Sequence, residues 1–487
     1  MTLPRVRAAA FVASLGAGLA GCGSASTMPV DAGAEASVEV APFVPTCNTT
    51  PATQWAPDWS TTVTTQDIGK GSVAVNSAGD RVAVATSWNI GGNLAVDELD
   101  RGGGRLWTAP LGALARGGIA IVVAADGAVF AAAPKIETAN GLLGTADGDQ
   151  DASSDLDGGA EAGRSVKAGL GPLFKLDADG QLAWATSLVD GDKQPAGLSY
   201  NGGLRYVALA IDVDGGLWVA ETTFVPPQDP TPNAEIDGLE IVLEKHDPAD
   251  GHLLFSRSFF TKSVHPLFPP DPTVFLAASP SGGIVLAGGL TTSIDLGGGV
   301  LMGPMTENGE NLLAARFDAD GSHRWSATFG GRYFSRPGGL IVDAEGAAIV
   351  SGVFDGLLQF GDTLLGAHGQ DDGFVAKLTP DGKPQWAASV GDEASNAMGA
   401  VGVDPSGRVR VKVYNVALTL PDGSGLAADA TGAVLSFDAG GTLRAARCLP
   451  YPVANPTAFD ATGDDFIWVP VDPTRHTGVV IQRLPPF

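Results

Sequence analysis

The sequence predicts an all-β protein built from repeated β-hairpins, and three observations support this. The 487 residues include 67 Gly and 33 Pro, and 44% are hydrophobic, a composition that suits many short strands and turns better than helices. One type of hairpin recurs along almost the whole chain. A second type alternates with it, which indicates repeat units of two hairpins each.

The first hairpin type is clearest at residues 311–331, NLLAARFDADGSHRWSATFGG. A strand, an Asp-x-Asp-Gly turn and a second strand carrying Trp325 follow one another, as in a β-hairpin. Because an aromatic residue recurs at one position per repeat, we expect it to pack between repeats rather than to bind a ligand. The turn glycines and the residues four positions later are Gly103 and Trp107, Gly180 and Trp184, Gly251 and Phe255, Gly321 and Trp325, Gly382 and Trp386, and Gly441 and Ala445.

The second hairpin type consists of a strand, a polar residue, two further residues, Gly and another strand. The segment LIVDAEGAAIVSG, which starts at residue 340, is an example. The second hairpin type occurs seven times, and the first type occurs six times. The turn glycines of the second type are Gly79, Gly127, Gly215, Gly282, Gly346, Gly407 and Gly463.

One strand is left over at each end of the repeats. The last strand, residues 478–484, has no Trp-bearing partner after it, and the strand WSTTV, which starts at Trp59, has no hairpin partner before it. We therefore predict a seven-bladed β-propeller with four strands per blade, closed by the N-terminal strand completing the last blade. Closure leaves only short, protected sheet edges.

The N-terminal region has the pattern of an export signal. Arg5 and Arg7 precede an apolar run over residues 8–19, which is too short to span a bilayer. Residues 19–22, Leu-Ala-Gly-Cys, resemble a bacterial lipobox, which implies that Cys22 becomes the acylated N-terminus. The alternative is an ordinary cleaved signal with an incidental cysteine. We assign residues 1–21 to a lipoprotein signal peptide, 22–53 to a flexible acidic tether and 54–487 to the propeller.

Gly at position 23 is compatible with transfer of such a lipoprotein to the outer membrane. We therefore expect an exported protein, anchored by lipid on the periplasmic or cell-surface side of that membrane.

Two cysteines remain besides the lipobox cysteine, Cys47 before the closing strand and Cys448 near the end of the sixth repeat. In an oxidising compartment an even number of cysteines indicates a disulfide. A Cys47–Cys448 bond would staple the closure and stabilise it by about 2–5 kcal/mol. The alternative is two free thiols.

The longest segments between strands all fall on one face of the predicted disc. The short glycine turns lie on the opposite face. Since function tends to reside on loops carried by a rigid scaffold, we expect a binding site on the long-segment face or in the central channel. A candidate patch there consists of His265, Phe268, Arg332, Tyr333 and Arg336, although exposed loop residues without a binding role are the alternative.

The motifs of common catalytic and metal sites are missing from the sequence. The six His are scattered, and neither HExxH nor a GxSxG elbow occurs. The Asp-rich turns at residues 176–180, 212–216 and 317–321 resemble fragments of calcium loops, but we expect hairpin turns because other repeats lack these acids. We read residues 145–163 as a solvated acidic loop, with weak calcium binding as the alternative. We predict no catalytic residue, cofactor or metal.

The repeat resembles that of bacterial β-propeller-repeat proteins, which are common among secreted and surface lipoproteins. The most similar stretch is residues 343–352 followed by FVAKLTPDGKPQWAASVG. It is also similar to the repeat of quinoprotein dehydrogenases, which hold calcium and a quinone beside a disulfide between adjacent cysteines; this chain has no adjacent cysteine pair. The propeller lipoprotein of the outer-membrane barrel-assembly machine is similar in architecture, with eight blades.

These observations predict a non-catalytic, membrane-anchored and monomeric propeller that binds a protein or a glycan. The formal net charge of −25 argues against nucleic acid as a partner, because phosphates would be repelled. The alternatives are a propeller enzyme such as a polysaccharide lyase or glycosidase, and an accessory lipoprotein of barrel assembly.

Overall fold

Four-stranded antiparallel sheets, here called blades, account for most of the structure. The computed structural model describes residues 57–88, 93–113, 119–132, 172–188, 206–225, 238–262, 273–304, 309–331, 333–391, 395–414, 432–449, 457–469 and 477–484. Within these ranges the chain forms 31 β-strands, and no helix of the described part has the length and apolar character to cross a membrane. All the described residues belong to one compact unit, Phe43–Phe487.

Blades 1 to 3 each use four strands in sequence order, from the inner strand to the outer strand. Blade 1 consists of the second half of β1 (Trp59–Val75), β2 (Arg81–Trp88), β3 (Asn93–Asp100) and β4 (Arg105–Ala113). Blade 2 consists of β5 (Ala120–Val123), β6 (Val129–Ala132), β7 (Pro172–Leu176) and β8 (Leu182–Ser187). Blade 3 consists of β9 (Val207–Ile211), β10 (Leu217–Val225), β11 (Gly238–His246) and β12 (Leu253–Lys262).

Blades 4 and 5 each carry an additional two-stranded hairpin between their second and third strands. Blade 4 consists of β13 (Phe275–Ala278), β14 (Ile284–Leu290), β17 (Asn311–Phe317) and β18 (His323–Phe329), and its additional hairpin is β15 (Ser293–Asp295) with β16 (Val300–Met302). Blade 5 consists of β19 (Ser335–Val342), β20 (Ala348–Phe354), β23 (Asp372–Leu378) and β24 (Pro384–Val390), and its additional hairpin is β21 (Leu357–Phe360) with β22 (Thr363–Gly366).

Blades 6 and 7 complete the ring. Blade 6 consists of β25 (Ala397–Val403), β26 (Val409–Tyr414), β27 (Gly432–Phe437) and β28 (Leu443–Leu449). Blade 7 consists of β29 (Thr457–Phe459), β30 (Asp465–Val469), β31 (Thr477–Leu484) and the first half of β1. The protein is therefore an all-β, seven-bladed propeller, as predicted.

The signature turns of the sequence are tight hairpin turns held by their first side chain. In the turn that starts at Asp177, one carboxylate oxygen accepts the backbone N–H groups of Asp179 and Gln181 at 3.0 and 2.9 Å. Gly180 then adopts φ = 78°, a left-handed conformation that only glycine reaches without strain. In the Asp-rich turns that start at Asp212 and Asp318, as in the one at Asp177, the backbone N–H of the glycine donates to the carbonyl of the first Asp, so these segments are hairpin turns, as predicted.

Neighbouring blades are joined by the recurring aromatic residue of the outer strand. Trp107 of blade 1 lies on Gly180 of blade 2 so closely that a Cβ at Gly180 would come within 2.5 Å of the indole. The Trp107 Nε1–H also donates to the Ala178 carbonyl at 3.0 Å. The prediction that these rings pack between blades is confirmed. The same stacking joins Trp184 to Gly251, Phe255 to Gly321, Trp325 to Gly382 and Trp386 to Gly441.

The ring closes through β1, which belongs to two blades. Its first half pairs with β31, from Trp59 opposite Arg483 to Asp67 opposite Thr477. Its second half pairs with β2, from Ile68 opposite Trp88 onward. The N-terminal strand thus supplies the outer strand of blade 7, and the predicted closure is confirmed.

Blade 7 cannot receive an aromatic ring as blades 2 to 6 do. Its third and outer strands come from distant parts of the chain, so no tight glycine turn joins them. Position 445 of blade 6, where the pattern would place the ring, is correspondingly Ala.

Ion pairs hold this junction instead, and further ion pairs lie within blade 7 and between blades 7 and 1. Asp465 Oδ1 of blade 7 accepts Arg410 of blade 6 at 2.5 Å. Within blade 7, Asp464 Oδ2 accepts Arg483 Nε at 2.9 Å. Arg101 of blade 1 lies 3.8 Å from the same carboxylate.

We predict that replacing Trp325 with Ala lowers the free energy of unfolding by about 2–4 kcal/mol, because a large packed ring is lost. Trp325→Phe keeps the packing and loses only the indole hydrogen bond to Pro380, so we expect a loss of about 1 kcal/mol. Urea unfolding measures both. Equal losses for the two variants would contradict the stacking as the main contribution.

We predict that Asp464→Asn destabilises the closing blade by about 2–4 kcal/mol, because Arg483, in a mostly buried position, loses its buried carboxylate partner and keeps only the more exposed Asp58 at 3.7 Å. Hydrogen exchange should accelerate in β31 and in the first half of β1 before it does in β17 and β18. The control is Asp438→Asn, whose partner Arg444 is 60% exposed; its effect should stay below about 1 kcal/mol. Uniform acceleration across all blades would argue against a local role for Asp464.

Candidate functional site

The additional hairpin of blade 5, β21–β22, has one face on the blade and one face in solvent. Leu358 and Phe360 alternate with exposed residues and are buried in the core cluster that contains Phe329 and Phe374. Gln359 Nε2 donates to the Gly361 carbonyl at 2.5 Å and closes the turn. Packing of the inner face therefore fixes the hairpin, and its outer face, which includes Leu357 and Gln359, is exposed.

The hairpin of blade 4, β15–β16, is built in the same way. Ile294 and Leu296 are buried in the core cluster shared by blades 3 and 4. Its outer face presents Val300 and Met302 to solvent. Two neighbouring blades thus carry hairpins with a buried inner face and an outer face that includes exposed apolar side chains.

A groove lies beside the blade 5 hairpin, between it and the crossover from blade 4. Its volume is about 390 Å³, and its lining residues are Gly330, Gly331, Tyr333, Leu357, Gln359 and Leu364. The glycines allow this close approach, since a Cβ on Gly331 would meet the Leu357 carbonyl oxygen at 2.2 Å. Tyr333, Leu357 and Leu364 are 45%, 55% and 56% exposed, so the walls of the groove are apolar and open to solvent.

The predicted binding patch coincides with this groove in part. Tyr333 lines the groove. Arg336 instead holds the crossover: its Nε donates to Glu310 Oε2 at 2.6 Å, and its guanidinium lies 4.9 Å from the Phe334 ring centre. His265, Phe268 and Arg332 lie outside the described residues, and the patch as a whole stays a prediction.

Leu357 and Leu364 were missed by sequence reasoning, although a signal exists. The segment LLQFGDTLLG, from residue 357, contains two alternating strands separated by Gly-Asp, a hairpin pattern.

Cysteine and lipid-anchor predictions fall largely beyond the described ranges. Cys22 and Cys47 are outside them, and of Cys448 only the backbone position in β28 is described. Acylation of Cys22 and the Cys47–Cys448 disulfide therefore stay predictions. The acidic loop 145–163 is also outside the described residues.

Buried cations on the third strands serve as a second link between blades. Lys245 Nζ contacts Asp212 Oδ2 of its own blade at 2.8 Å and donates to the Ala319 carbonyl of the next blade at 2.8 Å. Although burial opposes ionisation, hydrogen bonds from Lys245 and Trp218 hold the pKa of Asp212 below its usual value. Ala319 belongs to the turn on which Phe255 packs. Because Phe255 has no side-chain N–H to donate to this turn, Lys245 makes the hydrogen bond to it.

At the junction of blades 6 and 7, burial shifts the pKa values of two ionisable groups strongly. Burial raises the pKa of the Asp465 carboxyl to about 6, against the opposing effect of Arg410 and Arg447. Burial lowers the pKa of the Lys412 ammonium to about 7. Lys412 Nζ donates to Thr457 Oγ1 of blade 7 at 2.7 Å and lies 5.4 Å from the Tyr414 ring centre. Both groups thus bridge the two blades.

We predict that Lys412→Met stabilises the protein near neutral pH by a few kcal/mol, at about 1.4 kcal/mol per pKa unit. Between about pH 7 and pH 10.5 the unfolded chain binds a proton that the folded chain does not, so wild-type stability from this group rises with pH. The advantage of the variant should therefore shrink toward pH 10.5. Urea unfolding across this range tests it, with exposed Lys383→Met as control; a pH-independent difference would contradict the prediction.

The fold is a seven-bladed β-propeller. The groove beside the β21–β22 hairpin, called the rim groove below, is lined mainly by apolar side chains. No protein-family model matches the chain, and no curated protein matches it. Among solved structures, the Dos1 propeller is 11% identical, with 88% of this chain and 94% of that chain covered and a TM-score of 0.40. The WD40 domain of SCAP from fission yeast is 10% identical, with 88% and 90% covered and a TM-score of 0.40.

Enzymes are also among the similar structures. A gluconolactonase from Xanthomonas campestris is 16% identical, with 72% of this chain and 85% of that chain covered and a TM-score of 0.31. A puromycin hydrolase is 13% identical, with 82% and 50% covered and a TM-score of 0.43. Likenesses at this level carry no argument about activity, and the propeller fold rests on the strand pairing described above.

Proposed function

We propose that the protein is a non-catalytic, lipid-anchored propeller that binds a protein or glycan partner at the bacterial cell envelope. The observation that carries the proposal is the solvent-exposed apolar groove on the rim. Apolar side chains exposed together mark interaction sites more often than they mark neutral surface. One wall of the groove is the β21–β22 hairpin, which is additional to the four strands of blade 5.

The buried charges of the described residues also favour a binding role over catalysis. Lys245 with Asp212, Lys377 with Asp343, and Arg410 with Asp465 each join turns or neighbouring blades. Buried ion pairs occur as structural elements as well as in active sites. The first two pairs each lie within one blade, and Arg410 with Asp465 joins blades 6 and 7, so each pair has a structural contact that accounts for its burial.

The anchor follows from the lipobox-like residues that end at Cys22. An acylated Cys22 and the tether to residue 53 would hold the propeller near the membrane while leaving its rim accessible. The lipid supplies the attachment to the membrane, and the net charge of −25 disfavours nucleic acid as a partner. The outer membrane is the proposed location.

We predict that the protein incorporates an alkyne-tagged fatty acid when expressed in a bacterium that processes lipoproteins, and that it then fractionates with membranes. Cys22→Ser should abolish the labelling and release the protein from the membrane fraction, whereas Cys47→Ser should retain both properties. Labelling that persists in Cys22→Ser, or a wild-type protein that is exported without lipid, would overturn the anchor.

Protease treatment of intact cells then places the propeller on one side of the outer membrane. Cleavage of the wild-type protein indicates partners in the surroundings of the cell. Resistance in intact cells, with cleavage after permeabilisation, indicates periplasmic partners, and co-purification with outer-membrane assembly proteins would then favour the accessory role.

A further inference from the structure

We propose that the rim groove binds a cationic peptide segment of a partner protein, with a large apolar side chain of that segment seated between Tyr333, Leu357 and Leu364. This inference rests on the proposed binding function and specifies the chemistry of the partner. It concerns the outer face of the β21–β22 hairpin and the adjoining crossover from blade 4.

The shape of the groove suits one or two bulky side chains rather than a flat contact. Its volume of about 390 Å³ lies in the lower part of the range typical of ligand pockets. Gly330 and Gly331 leave it open between the walls, and the Gly356 turn packs against the Tyr333 ring. Leu358 and Phe360 anchor the hairpin from below, so the walls are held rigidly before a partner arrives.

The hairpin exposes apolar residues on its outer face. The buried residues of β21 alternate with exposed Leu357 and Gln359, and β22 exposes Leu364. An exposed leucine on each strand of one short hairpin favours association. A partner that covers them would remove this apolar surface from water.

The hairpin that forms one wall of the groove is acidic, whereas the crossover beside it carries Arg332 and Arg336 in its sequence. Asp355 precedes the hairpin and Asp362 lies in its turn, and the sequence contains no Lys or Arg from residue 337 to residue 376. The blade 4 hairpin continues the pattern, with no Lys or Arg from residue 263 to residue 315. Arg336, at the crossover, is paired with Glu310. Acids beside an apolar groove attract Lys and Arg and repel anionic lipid surfaces.

The test uses the full chain carrying Cys22→Ser, so that the lipid does not interfere, and three short fluorescent peptides. One alternates Lys with Leu, one alternates Glu with Leu, and one alternates Lys with Ser. Fluorescence anisotropy should show binding of the Lys/Leu peptide only. At about 1 M salt, where the Debye length falls to roughly 3 Å, binding should weaken several-fold.

Matched variants locate the binding. The double variant Leu357→Ser, Leu364→Ser should weaken binding of the Lys/Leu peptide by about tenfold or more, as expected for central apolar contacts. Leu182→Ser removes a leucine of similar exposure, 47%, on blade 2 and should change it by less than about twofold. Asp355→Asn with Asp362→Asn should weaken it several-fold, whereas Asp179→Asn on blade 2 should not. Because all these side chains are at least partly exposed, thermal unfolding should confirm that each variant remains folded.

Four results would overturn the inference. These are equal binding of the Lys/Leu and Glu/Leu peptides, insensitivity to the leucine pair, binding of anionic lipid vesicles in place of peptide, and self-association of the chain that the leucine pair abolishes. Absence of peptide binding by a protein that is acylated at Cys22 would overturn this inference but leave the proposed function standing. Peptide binding by a protein that is never acylated would support this inference and overturn the proposed lipid anchor.

Discussion

The structure depends on one repeated contact, the stacking of an outer-strand aromatic ring on the turn glycine of the next blade. The glycine serves twice: its left-handed backbone closes its own hairpin, and its missing side chain admits the neighbour's ring. The indole N–H then donates to the carbonyl of the second turn residue, as Trp184 does to Pro248 at 3.1 Å. One residue type at one position therefore couples the local turn to the assembly of the ring, because a blade can bury its faces only against its neighbours.

The junction between blades 6 and 7 shows what happens where this contact is not possible. The last two strands of blade 7 come from distant parts of the chain, and Ala445 stands where the other blades have a ring. Charged residues replace the stacking there, with Arg410 reaching the blade 7 carbonyls of Asp460 and Asp464 in addition to the Asp465 carboxylate. Removing one partner of such a buried pair is costly. Because the junction depends on ionised groups, it is more sensitive to pH than a stacked ring.

The candidate site lies apart from this framework. The β15–β16 and β21–β22 hairpins are held by their inner faces and contribute their outer faces to the surface of the rim. The ring can therefore keep its packing while the exposed residues of the hairpins vary. This separation of scaffold and surface is the physical basis for assigning binding to the rim groove, where Leu357 and Leu364 extend into solvent from a rigid support.

The sequence by itself determined the hairpins, the seven blades and the closure by the strand at Trp59. These follow from local rules, namely the glycine that a left-handed turn position requires, the four-residue spacing to the ring, and the strand left over at each end. Only the tertiary structure decided which turn each ring covers, why position 445 lacks one, and that Arg410 meets Asp465. It also decided that Tyr333 shares a groove with Leu357 and Leu364, whereas Arg336 of the same predicted patch is bound to Glu310. Such contacts join residues far apart in the chain, and their geometry depends on how whole blades pack, which no local pattern specifies.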